Sequence, residues 1–100
     1  MPHIEIDRDA IARFCQTHHI RKLSLFGSVL RDDFGPESDV DVLVEFEPGR
    51  EPGLFGIAGM ELELGSVFGG RKVDLRTAED LSRYFRKEVV QSAELQYAAG

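Results

Sequence analysis

The sequence predicts an α/β fold of the α+β kind, a small mixed β-sheet with helices packed on it. Short alternating or β-branched runs at residues 22–26, 39–46 and 71–76 are interleaved with stretches whose apolar residues recur at helical spacing. Gly and Pro punctuate the intervals at 34–38, 47–53 and 69–70. At 42% hydrophobic residues over 100 positions, the chain can bury one real core, so a single domain is expected over residues 1–100.

Taken in order, Asp7 can cap a first helix, with Asp9 near its positive end and Ile6 and Ile11 placed as a hydrophobic staple. Ala10, Ile11, Phe14 and Cys15 share one face of that helix. Residues 22–26 form a strand, with Leu23 and Leu25 on one side and Ser24 and Phe26 on the other. Gly27-Ser28 ends it, and 29–32 forms a short helical turn before the loop at 34–38. A second strand follows at 39–46, then a Pro- and Gly-rich loop at 47–53. A helix at 54–68 is weakened by Gly56, Gly59 and Gly65 and stopped by Gly69-Gly70. The third strand is 71–76. Thr77 then caps a final helix with Leu81, Tyr84, Phe85 and Val89 along one face. The tail at 94–100 reads either as an edge strand or as a frayed end.

Bulk properties exclude several classes of function. With 18 acidic and 12 basic residues the net charge is −6, so the chain lacks the basic footprint of a protein that binds DNA or RNA unaided. The single Cys15 rules out an internal disulfide framework and fits a reducing, cytoplasmic setting. The opening Met-Pro-His-Ile-Glu-Ile-Asp has neither the basic start nor the apolar core of a signal peptide. No stretch is apolar and long enough to span a bilayer, so no membrane association is expected.

The chemistry concentrates in acidic residues on strands. Residues two apart on a strand point the same way, roughly 6.5–7 Å apart. Asp39 and Asp41 therefore share a face, while Val40, Val42 and Val44 can enter the core. Two parallel carboxylates repel unless a cation lies between them. Magnesium suits such a pair, because it accepts one or two carboxylates, keeps waters and recruits phosphate oxygens. Two such ions about 3.5–4 Å apart can stabilise both oxygens of an in-line displacement. Taken alone, Asp39-Val40-Asp41 reads equally well as a strand leaving an exposed loop. Lys72-Val73-Asp74-Leu75-Arg76 adds weight: if that strand pairs beside the second, Asp74 joins the same acidic face. Asp74 could otherwise be a solvated residue paired with Lys72 or Arg76.

Gly27 after a strand permits backbone torsions that other residues avoid, and Ser28 opens a helical turn whose amides could attract phosphate. Arg31, one turn on, could reach a triphosphate or pair with Asp32 or Asp33. By itself this is an ordinary strand-to-helix turn. Arg71, Lys72 and Arg76 read first as a solvated strand edge, and His18-His19 as helix-end residues, since adjacent histidines on a helix diverge.

Gly27-Ser28, ten residues, then Asp39-Val40-Asp41, followed by Val73-Asp74-Leu75, resembles the signature of the DNA polymerase β-like nucleotidyltransferases, in particular the minimal nucleotidyltransferase antitoxins. The resemblance implies a stand-alone catalytic core that moves AMP from ATP to a hydroxyl and releases pyrophosphate. It implies Gly27 and Ser28 at the nucleotide, where Arg31 could join them from one turn on, Asp39, Asp41 and Asp74 as catalytic and metal-holding residues, and Mg²⁺, two ions, as cofactor. Asp74 would act as metal ligand or base. Such proteins are commonly encoded beside a HEPN-type toxin, whose tyrosine they adenylylate. The implied partners are therefore that toxin and ATP, with a second copy of the chain also possible and no nucleic acid bound directly. The exposed edge from Arg71 to Arg76, with the final helix, is the expected partner contact. Two other readings compete. One is an antitoxin that acts by occlusion without catalysis, which has no physical need for a repulsive acidic cluster. The other is nucleotide addition to RNA, which needs a path for a polyanion across a protein of charge −6.

Overall fold

The structure is a computed structural model and describes residues 4–99. Met1 to His3, where the opening was read as no signal peptide, and Gly100 of the tail lie outside the described residues.

Helix α1, Arg8–Thr17, begins where Asp7 accepts a hydrogen bond from the Ala10 amide at 3.0 Å. Ile6 packs on the core that buries Ile11, as the staple requires. The helix runs out at His18, whose Nε2 meets Glu63 at 3.1 Å, while His19 turns the chain with φ 57°. Strand β1, Ile20–Phe26, leads into a 3₁₀ turn at Gly27–Leu30. Strand β2, Val40–Phe46, is joined to β3, Val73–Arg76, by helix α2, Leu54–Val67. Helix α3, Arg83–Ser92, precedes β4, Glu94–Ala98, so the tail is an edge strand.

The sheet order is β3-β2-β1-β4. Strand β2 runs parallel to β3, as the α2 crossover demands, and β1 is antiparallel to both β2 and β4. One face is apolar. Leu23, Leu25, Val40, Val42, Val44, Val73 and Leu75 are all buried there, in one cluster with Ile11, Phe14 and Cys15 of α1 and Met60 and Leu64 of α2. Burial pushes the Cys15 thiol up to about 12, so it is an inert packing group. The period-two pattern sends Ser24, Phe26, Asp41, Leu43 and Asp74 to the opposite face. Among the described residues no helix is long and apolar enough to cross a membrane.

One element differs from expectation. Thr77 does not cap a long final helix. It caps a 3₁₀ turn at Ala78–Asp80, which Asp80 closes by accepting from the Thr77 amide at 3.0 Å. Leu81 is extended (ψ 144°), and Ser82 starts α3 afresh by accepting from the Tyr84 amide. Two capping signals lie close together in the sequence, and each is used. Arg86 bridges the break, donating to the carbonyls of Ala78, Glu79 and Leu81 at 2.7, 3.4 and 3.2 Å.

Candidate active site

The acidic face forms where three strand ends meet. Asp41 lies directly across from Asp74 in the parallel β2–β3 register and across from Phe26 in the antiparallel β1–β2 register. Asp39 precedes β2 and is exposed; Asp41 is half-buried. Asp41 and Asp74 therefore share the outer face, and the charge of Asp39 is close enough to act on Asp41.

Gly27 follows Phe26 with φ +75°, in the left-handed region. Its missing side chain matters for a second reason: a Cβ there would run into the Asp41 carboxylate. Val29, fully buried, pins the turn to the core. The Ser28 amide donates to Asp41, and the Ser28 hydroxyl donates to the Asp39 carbonyl at 3.4 Å. The turn thus grips the carboxylate strand rather than standing apart from it. Arg31 is not drawn in: its Nε donates to Asp33 at 3.2 Å, in an exposed pair.

Electrostatics single out Asp41. Its pKa is raised, first by burial, then by the negative charges of Asp74 and Asp39; the Ser28 amide and Arg76 pull it back only in part. Each flanking aspartate has a cation of its own. Arg76 holds Asp74 with two nitrogens, at 3.1 and 3.3 Å, and the Lys72 ammonium stands 3.9 Å from Asp39 in solvent. With the carboxylates so apportioned, no group of three acidic, histidine or cysteine side chains is gathered for one metal ion among the described residues. A magnesium ion asks for less, one or two carboxylates beside phosphate oxygens, and the Asp39–Asp41 pair offers those donors.

Two contributors were not expected from the sequence. Glu61 of α2 accepts from the outward amide of Leu75 at 2.8 Å, fixing β3 one residue after Asp74. It also lines an open cleft of about 500 Å³ shared with Asp74, Arg76, Ile57 and Asp80. The available signal was a lone carboxylate on the stripe of Ile57, Met60, Leu64 and Phe68. Arg71, read as part of a solvated edge and a partner contact, instead turns inward onto the loop at 34–38.

The nucleotidyltransferase domain family matches residues 8–95. A Methanocaldococcus jannaschii protein provisionally named protein adenylyltransferase MJ0435 is 30% identical over 76 residues, covering 76% of this chain and 78% of that one. A solved structure provisionally described as a minimal nucleotidyltransferase has a TM-score of 0.69 at 34% identity, over 86% of this chain and 85% of its own. A toxin-antitoxin structure with AMP-PNP has a TM-score of 0.74 at 18% identity, over 94% of this chain and 75% of its own, and speaks to the fold alone.

Proposed function

The chain belongs to the nucleotidyltransferase domain family, and from that premise we propose that it moves AMP from ATP to a tyrosine hydroxyl of a HEPN-type partner toxin, acting as the antitoxin of the pair. The observation that carries the reading is the close-set triad of Ser28, Asp41 and Asp74: the amide of the turn on one carboxylate, with the second carboxylate in direct register beside it. Nucleotidyl transfer uses such an arrangement because both the triphosphate and the acceptor must meet at one phosphorus.

In this reading the acceptor oxygen bonds to the α-phosphorus and the bond from that phosphorus to the bridging oxygen breaks, releasing pyrophosphate. Asp74 takes the proton of the hydroxyl, with Arg76 holding its carboxylate in place. Asp39 and Asp41 would hold Mg²⁺, which when bound neutralises charge on the phosphate oxygens. The raised pKa of Asp41 supports that assignment, since a carboxylate crowded by two others gains most from a cation. Gly27 and Ser28 bring the turn against the metal-holding pair. Arg31, exposed and paired with Asp33, is placed to exchange that partner for a phosphate.

The experiment mixes this chain, Mg²⁺ and α-labelled ATP with the product of the neighbouring gene. Label on that protein is expected, reduced by at least about 10²–10³-fold in an Asp41→Ala variant. An unlabelled partner that nevertheless binds tightly would overturn the catalytic reading in favour of occlusion. Label on RNA alone would replace the acceptor.

A further inference from the structure

Ten residues separate Ser28 from Asp39, and two of them, Gly35 and Pro36, are turn formers. The shape of that spacer sets how the turn meets the acidic strand. Local bonds shape it in part: the Phe34 amide donates to the Arg31 carbonyl at 3.2 Å, and the Gly35 amide to the Ser38 hydroxyl at 3.0 Å.

The remaining restraint comes from 33 or more residues away. Nη1 of Arg71 faces the carbonyls of Gly35, Ser38 and Pro36 at 3.0, 3.3 and 3.4 Å. Its guanidinium carbon sits 4.5 Å from the centroid of the Phe34 ring. The backbone of Arg71 is itself held. Gly65 of α2 passes so close that a Cβ there would lie 2.6 Å from the Arg71 carbonyl oxygen, and the next carbonyl, of Lys72, accepts from the Val40 amide at 2.9 Å. One side chain thus ties the end of α2 and the start of β3 to the spacer.

Resting on the nucleotidyl-transfer reading, we propose that Arg71 is a positioning residue, which sets the placement of the Ser28 turn against Asp39 and Asp41 by clamping the 34–38 loop. A guanidinium suits this role because it is always charged and planar, so that one nitrogen, Nη1, faces the loop carbonyls while the group lies over the Phe34 ring. A lysine could keep the charge and a donor for the carbonyls, but not the planar contact with the ring.

The test uses the full chain with Arg71→Ala, Arg71→Lys and Phe34→Leu, and two readouts. Amide hydrogen exchange follows residues 34–40 against α1 as internal reference. Calorimetry gives the affinity for Mg·ATP well below the melting temperature. Arg71→Ala is expected to speed exchange in the loop alone and to weaken Mg·ATP by about 10- to 100-fold, the usual size for losing an outer support of a ligand-holding group. Arg71→Lys should recover part of both, and Phe34→Leu, which keeps the apolar contact, should move both by less. A loosened loop with Mg·ATP affinity unchanged would reduce Arg71 to a purely structural residue and overturn the proposal. A wild-type chain that binds no Mg·ATP would end the parent reading and this one with it, and the wild-type trace alone reports that case.

Discussion

Helices α1 and α3 are each ten residues long, each starts at a side-chain cap and each gathers its apolar residues on one side, yet α1 buries Ile11, Phe14 and Cys15 whereas α3 buries no residue. The difference lies in what each helix meets. Helix α1 packs on the sheet face made of Leu23, Leu25 and the β2 valines. The end of α3 shares an open groove with Ser24, Leu43 and Leu95, on the face that carries Asp41 and Asp74. A face that holds charges cannot also be sealed with apolar side chains. Tyr84 and Phe85 accordingly stay 77% and 60% exposed. Amphipathic patterning therefore says which side of a helix is apolar, and the strand opposite decides whether that side is covered.

The largest expected effect tests the packed face. Phe14→Ala should cost about 3–5 kcal/mol, read from the urea midpoint, a large part of the roughly 5–15 kcal/mol that holds such a domain. A midpoint that barely moves would break the division between the two faces. Gly27→Ala comes next, at about 1–3 kcal/mol for a side chain in the left-handed region. Some of that penalty comes from the contact with Asp41, so combining it with Asp41→Ala should cost less than the sum of the two changes. Strict additivity in thermal melts would show that the contact contributes nothing.

A subtler probe is pH. Because the folded pKa of Asp41 lies above its ordinary value of 3.8, the folded chain keeps this proton longer than the unfolded chain does. Stability therefore falls as pH rises from the unfolded to the folded value, and the full penalty is present above both. Asp41→Asn, melted in chelator, should raise the melting temperature at pH 7 and lose that advantage near pH 3. Equal melting temperatures at pH 7 would mean that the acidic face is not under strain. Smallest of all is Phe85→Ala in the isolated chain, which should change stability by no more than about 0.5 kcal/mol despite removing an aromatic ring. A loss near that of Phe14→Ala would mean that α3 is packed after all.

Much of this was legible in the sequence, for identifiable reasons. The alternation of Val40, Asp41, Val42, Leu43 and Val44 has one solution on a half-buried strand, and it put the aspartates on the outer face. Asp7 announced α1, and Gly27-Ser28 announced the turn after β1. What was hidden depends on distance along the chain. That Arg71 reaches residues 34–38, or that Glu61 meets Leu75, follows from register and helix placement rather than from local pattern. The broken start of α3 was hidden differently: Thr77 and Ser82 are both good caps, and composition does not say that the chain uses both. The tail became β4 because β1 offered an unpaired edge, which belongs to the sheet and not to residues 94–98.

The bond from the Leu75 amide to Glu61 has a consequence beyond Asp74. Strand β3 ends the sheet, and an outer strand with bare amides invites a stranger's backbone to join it. At Leu75 that position is already taken by the Glu61 carboxylate, whose charge would also stand against an approaching backbone carbonyl. One amide on the edge nearest the acidic residues is thereby closed to strand addition, in a domain that leaves aromatic rings exposed on α3.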